Sequence, residues 1–196
     1  MAYKSYYTQI MWLFCKNRID VPLLYHAITV AQIKSWSGII NFSHRTKIMV
    51  LQDVVSKYAD NFLFIDSDTH FFKNCDSIFL QISRGEIIFN KCENKLADNQ
   101  GRINKKLKRF FTKQNCFSTI LDQTIFFDLQ LTICNTGTIG FNSKYKSILR
   151  KVAQLVATLY SLCSLFVMEQ VAFNYYFQTV KKTYPIRKVH SPLLVI

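Results

Sequence analysis

The five residues Asn61-Phe62-Leu63-Phe64-Ile65 run straight into Asp66-Ser67-Asp68. A continuous apolar run of this length, stopped by acids, reads as a strand buried on both faces, of the kind parallel sheets supply, with carboxylates at its carboxyl end. Ligands of open α/β sheets bind at that end. If extended geometry continues through Ser67, Asp66 and Asp68 project to one face, because strand side chains repeat every two residues, and two carboxylates there can share one cation. Hard ions such as Mg²⁺ and Mn²⁺ accept one or two carboxylates and leave the other positions to water and phosphate oxygens. Two solvated acids ending a strand share the same Asp-x-Asp signature.

Around this segment the pattern alternates between the two periodicities. Short strands are expected at 9–14 and 22–28, followed by a helix opening at Ser43 or His44 with Ile48, Leu51, Val54, Val55 and Tyr58 on its apolar face. Beyond the acids come a short helix at 75–82, a strand at 86–89 and two strand-like runs, Ile133-Cys134-Asn135 and Thr138-Ile139-Gly140-Phe141, flanking a turn at Thr136-Gly137. A long helical region then reaches about Phe177. Within it, 152–168 carries no charge, yet Gln154, Thr158, Ser161 and Ser164 fall on one helical stripe, which predicts a core-packed amphipathic helix rather than a membrane span. The alternation of strands and helices predicts an α/β fold. With 196 residues and no internal repeat, one compact domain over 1–196 is expected.

Apolar residues make up 49% of the chain and charged residues 19%, which excludes a disordered segment. Lys and Arg outnumber Asp and Glu by 25 to 12, so anionic partners are favoured: nucleotides, phosphorylated substrates or an acidic membrane face. Six of those cations and no acid lie in 102–113, with Ile103, Leu107, Phe110 and Phe111 at helical spacing. That predicts a basic amphipathic helix suited to an anionic membrane surface, although a solvated basic loop fits the same residues. Nucleic acid is not the expected partner, since the basic residues come with no RNP aromatic signature, GXXG loop or zinc spacing. The six cysteines form no CxxC pair and are expected as reduced, mostly buried thiols. The short apolar run at 10–15 is not a secretory core, so a cytoplasmic location is expected, with room for peripheral contact at the inner membrane face.

Phe62-Leu63-Phe64-Ile65-Asp66-Ser67-Asp68-Thr69 resembles the Asp-x-Asp element of GT-A type glycosyltransferases, which holds a divalent metal on a nucleotide-sugar diphosphate. Two further segments agree in order and spacing with glycogenin-like and related bacterial sugar transferases. Asn135-Thr136-Gly137-Thr138-Ile139-Gly140-Phe141 is similar to their Asn-x-Gly turn, and Glu169-Gln170-Val171-Ala172-Phe173-Asn174 to their acid-Gln-x-x-x-Asn helix start. The resemblance covers roughly residues 20–190. It implies a GT-A, Rossmann-like fold with a mixed, mainly parallel sheet flanked by helices. Little precedes 9–14, so the expected sheet lacks its first strand.

By that resemblance the chain is a metal-dependent hexosyltransferase. It moves a sugar from a nucleotide-diphosphate donor, expected to be UDP-linked, to a hydroxyl on a glycan, lipid-linked or protein acceptor, as in cell-envelope glycan synthesis. Asp66 and Asp68 would hold Mn²⁺ or Mg²⁺, with His190 completing the site. Arg45 and Lys47 would face the donor phosphates, where a helix N-terminus and a cation favour anions. Asp66, Asn135 and Gly137 would bind the donor sugar, glycine because a close approach or a positive φ excludes a side chain. Glu169 and Gln170 are the catalytic candidates, Glu169 as general base if the reaction inverts the sugar. The alternative is a truncated or degenerate, non-catalytic GT-A-like interaction protein.

Overall fold

A computed structural model of the chain describes residues 27–58, 60–66, 70–71, 75–119, 124–180, 186–188 and 194–195. The chain divides into two compact units, Met1–Val30 and Ala31–Ile196, and the architecture described here is that of the second. The strands expected at 9–14 and over most of 22–28 lie outside the described residues, as does any test of a missing first strand.

In chain order the elements are helix α1 (Val30–Ser37), helix α2 (Ser43–Lys57), strand β1 (Asn61–Ile65), strand β2 (His70–Phe71), helix α3 (Asp76–Ser83), and strands β3 (Ile87–Phe89) and β4 (Cys92–Lys95). Helix α4 (Gly101–Lys113) is followed by a hairpin of β5 (Cys116–Ser118) and β6 (Thr124–Phe126), then β7 (Thr132–Cys134) and β8 (Thr138–Asn142). The chain continues through a short 3-10 turn (Ser143–Tyr145), helices α5 (Lys146–Leu162) and α6 (Met168–Val180), and strands β9 (Ile186–Lys188) and β10 (Leu194–Val195). The protein is mixed α/β, as the alternation predicts.

The central sheet has the order β1-β8-β3-β9. Strand β8 runs antiparallel to both its neighbours, and only β3 and β9 pair in parallel. This corrects the expectation of a mainly parallel sheet and of a parallel partner for β1. An unbroken apolar run reports burial on both faces and says nothing about the direction of the neighbouring strand. Burial of β1 is itself only partial, all five residues being half-buried, because among the described residues it pairs with β8 alone. The remaining pairs are small antiparallel ladders: β4 with β7, β5 with β6 and β2 with β10.

The two faces of the sheet sort by strand alternation. Phe62 and Phe64 join Ile87, Phe89, Ile139 and Phe141 in the main core with α2, α5 and α6, whereas Leu63 and Ile88 pack with Ile78 and Ile82 of α3. Gly140 makes the second contact feasible: a Cβ there would stand 2.7 Å from Ile82 Cδ1 and 3.0 Å from Ile88 Cβ. Helix α2 follows its predicted face, with Ile48, Leu51 and Val55 buried, while Tyr58 ends it in extended geometry and is exposed.

The region expected as one long helix is two. Helix α5 ends at Leu162 and α6 starts at Met168, and no glycine or proline marks the break. Helix α5 packs Leu149, Val152, Leu155, Val156 and Leu159 into the core, as expected for a helix with one polar stripe. Among the described residues no helix is long and apolar enough to cross a membrane.

Candidate functional site

The register of the central sheet builds the site. Ile65 is paired with Thr138, so the residue leaving β1 meets the residue entering β8, and the Asp66 backbone N–H donates to the Gly137 carbonyl at 2.8 Å. The Asn135-Thr136-Gly137 turn is thereby brought to the carboxyl end of β1. Within the turn the Gly137 N–H donates to Asn135 Oδ1 at 2.7 Å, an Asx-type bond that closes it. The φ of Gly137 is not positive; the reason for glycine is space. A Cβ at 137 would lie 2.9 Å from Asn135 Oδ1 and 3.1 Å from Asp66 Oδ2. Two side-chain oxygens thus stand so close to the Gly137 backbone that they leave no space for a side chain.

Arg45 and Lys47 separate sharply. Two residues apart on a helix, they point about 200° away from each other. The Arg45 guanidinium turns back to the carbonyl of Trp36 and lies against Gly38, which ties α2 to the preceding turn. Among the contacts described, the structure places it at this turn and not beside Lys47. Lys47 turns the other way, into the site. Its ammonium donates to the Thr136 carbonyl at 2.8 Å, sits 3.5 Å from Asp66 Oδ1 and 3.6 Å from Glu169 Oε1, and lies 5.0 Å from the centre of the Phe64 ring.

Glu169 enters from the first turn of α6 and is 2% exposed. Thr136 Oγ1 donates to its Oε2 at 3.0 Å, while Oε1 has no hydrogen-bond partner and faces the Lys47 ammonium. Burial pushes its carboxyl up to about 7; Lys47 and the Thr136 hydroxyl oppose that rise, and the Asp66 charge adds to it. One ammonium thus serves two carboxylates, of which Asp66 is open to solvent and Glu169 is not. His44, one helical turn before Lys47, feels the same charges: burial and then the Lys47 charge lower its pKa, and Asp66 pulls the other way. Sequence analysis assigned His44 no role, though its spacing of three from Lys47 was a readable signal.

On the far side of the turn lies a polar cavity of about 650 Å³. Asn135, Gln170, Glu93, Asn94 and Asp98 line it with the exposed ring of Phe166. Asn135 Nδ2 donates to Glu93 Oε1 at 3.2 Å, and Asn94 Oδ1 is buried without a partner. Asn135 therefore stands between the cavity and the end of β1. Glu169 does not line this cavity; Gln170 does.

The two strands beside the cavity, β4 and β7, carry a covalent link that no local pattern announces. Cys92 and Cys134 are direct partners in the β4–β7 ladder and form a disulfide, S–S 1.99 Å. The expectation of reduced thiols is corrected for this pair, since 42 residues of separation leave no motif to read. Cys75, Cys116 and Cys163 are free and half-buried. Next to the disulfide, Asn174 is fully buried, and its amide accepts from the Cys134 N–H at 3.0 Å and donates to the Cys134 carbonyl at 2.8 Å. The resembling Asn of the helix-start motif is thus a clamp on strand β7.

The structure brings together Lys47, Asp66, Asn135, Gly137, Glu169 and Gln170, and places Arg45 at the Trp36 carbonyl instead. Asp68 and His190 lie outside the described residues. Among the described residues no group of three or more His, Cys, Asp or Glu side chains is gathered as for a metal ion. No family model matches the sequence, and no curated protein and no solved structure matches the chain.

Proposed function

We propose that the chain is a glycosyltransferase that takes a sugar from a nucleotide diphosphate, UDP in the first instance, to a hydroxyl acceptor. The finer fold reading, a GT-A-like domain whose sheet carries acids at the carboxyl end of β1, belongs to the same proposal. One observation carries it: Lys47, Asp66, Thr136, Gly137 and Glu169, from four separate segments, converge where β1 ends, beside a polar cavity. Three of the four segments are those whose motifs resemble the family.

In this reading Lys47 meets the diphosphate, its ammonium held ready by Thr136, Asp66 and Glu169 to offset charge developing on the leaving group. Asp66, with Asp68 and His190 as the resemblance implies, would hold Mn²⁺ or Mg²⁺, which supplies further charge neutralisation at the diphosphate. The donor lies beside Gly137, where Asp66 and Asn135 close in on the backbone, and the acceptor occupies the cavity on the other side of Asn135. Its amides and carboxylates suit a polyhydroxylated ligand, and the Phe166 ring offers an apolar face to a sugar. Gln170 is the side chain placed to meet that substrate. Glu169 acts through Lys47 and Thr136, since its free oxygen faces the ammonium and not the cavity.

The test is calorimetric titration of UDP with and without Mn²⁺, on the wild type and on Asp66→Asn. Metal-dependent binding is expected, weakened about tenfold or more by the substitution, the effect of losing one charge-assisted contact. UDP release from a panel of UDP-sugars then identifies the donor. A folded protein that binds UDP neither with nor without Mn²⁺ overturns the proposal. Gly137→Ala is a second check: its Cβ displaces Asn135 Oδ1 and Asp66 Oδ2, so UDP affinity should fall by about tenfold. The melting transition should fall as well, because moving Asn135 Oδ1 breaks the bond from the Gly137 N–H that closes the turn, so binding is measured well below that transition.

A further inference from the structure

We propose that helix α4, together with the exposed end of α5, is a docking surface for an anionic membrane. The inference rests on a different face from the candidate site and does not depend on the glycosyltransferase reading. Helix α4 carries Arg102, Lys105, Lys106, Lys108, Arg109 and Lys113 and no acid, and among the described residues none of the six forms an ion pair. Its apolar side is already committed, with Leu107 and Phe111 buried and Ile103 and Phe110 packed against the core. The cations are therefore left to solvent on both flanks of the helix.

On one flank, Lys106, Arg109 and Lys113 border a groove of about 350 Å³ whose other wall is Cys163 and Leu165, just beyond the end of α5, with Phe110 at its base. On the other, Lys105, Lys108, Arg109 and Lys113 surround a second depression. Among the described residues no acid lines either one. Leu162, the last residue of α5 and next to the groove, is 53% exposed. Cations around an apolar groove with a bare aliphatic side chain at its rim match the two-part chemistry of an anionic bilayer surface: headgroup phosphates outside, acyl chains beneath. A single-stranded nucleic acid would stack its bases on exposed rings, whereas the exposed side chain at this rim is the aliphatic Leu162.

The experiment is co-sedimentation of the full chain with phosphatidylcholine vesicles, with and without phosphatidylglycerol, at low and physiological salt. Binding is expected only with phosphatidylglycerol and should weaken with salt. Lys105→Gln/Lys106→Gln/Arg109→Gln/Lys113→Gln should lose about fivefold per cation removed, hence about six-hundredfold in total. Leu162→Ser should weaken binding several-fold, whereas Leu80→Ser, an equally exposed leucine on α3, should leave it unchanged. Since these side chains are on the surface, the melting temperature reports whether each variant is folded. Leu162→Trp adds a readout independent of affinity, its emission shifting to the blue on phosphatidylglycerol vesicles. Absence of binding by the folded wild type, equal binding to phosphatidylcholine alone, displacement by soluble glycerophosphate, or retention on a single-stranded oligonucleotide that ignores Leu162→Ser would each overturn the proposal.

Discussion

Raising the pH from about 4.5 to about 8 is expected to remove roughly 3 kcal/mol of stability through one side chain, Glu169. Its carboxyl is pushed from the ordinary 4.5 to about 7 in the folded chain, first by burial. Below the ordinary value both folded and unfolded chains hold the proton, and the full stability is present. Between the two values only the folded chain holds it, so stability falls as pH rises and the loss is complete above about 7. Urea denaturation at both ends of this window measures the effect. Glu169→Gln, which keeps an acceptor for the Thr136 hydroxyl, should lack this component, so the difference between the wild-type and variant profiles isolates it from His44 and the other titrating groups. Lys47→Met should move the wild-type midpoint upward, because the ammonium is the main influence opposing burial. Parallel profiles for the wild type and Glu169→Gln would show that the carboxylate is not held in the buried, singly partnered state described.

Asn174→Ala should destabilise the chain by about 3–5 kcal/mol. Strand β7 pairs with β4 on one edge only, and Cys134 lies at a position whose N–H and carbonyl turn away from β4. The Asn174 amide answers both, in the manner of a peptide on a neighbouring strand, and also donates to the Gln170 carbonyl at 2.9 Å. One helical turn later Gln178 repeats the device, donating to the Thr132 carbonyl and to Asn174 Oδ1. Removing the amide leaves two buried backbone groups without partners, each costing about 1–3 kcal/mol. Asn174→Asp should also be costly, since a buried carboxylate cannot donate to the Cys134 carbonyl. A loss below about 1 kcal/mol for Asn174→Ala would mean that β7 finds another partner for these groups.

How much of this is legible in the sequence depends on the range of the signal. Helix α2, helix α4 and strands β7 and β8 follow from local periodicity, and each lies within a few residues of its predicted span. The break between α5 and α6 does not, because 163–167 carries neither glycine nor proline and Ser164 continues the helical stripe. Strand direction in the sheet is a tertiary property that apolar runs leave open. At the candidate site, Asp66 is readable from residue type at a strand end, whereas Asn135 and Gly137 enter through the resemblance of their turn. The choice between Arg45 and Lys47 is not, since both sit in the same basic turn and only the position of Trp36 and Thr136 in space distinguishes them. The disulfide and the Asn174 clamp are equally invisible, joining residues about forty apart that nothing local connects.

Residue Cys134 is gripped from both sides, by the sulfur of Cys92 and by the amide of Asn174, and the Asp66 N–H pins the chain again at Gly137. Between those two anchors lie only Asn135 and Thr136, and both have their side chains engaged. So short a segment between fixed ends has almost no freedom left to lose. A ligand that settles on this turn orders only itself, and its affinity is set by the match of shapes and charges with little entropy surrendered by the protein. Stiffness of the turn is thus a binding property in its own right, and loosening either anchor should weaken every ligand of the site alike, whatever groups that ligand presents.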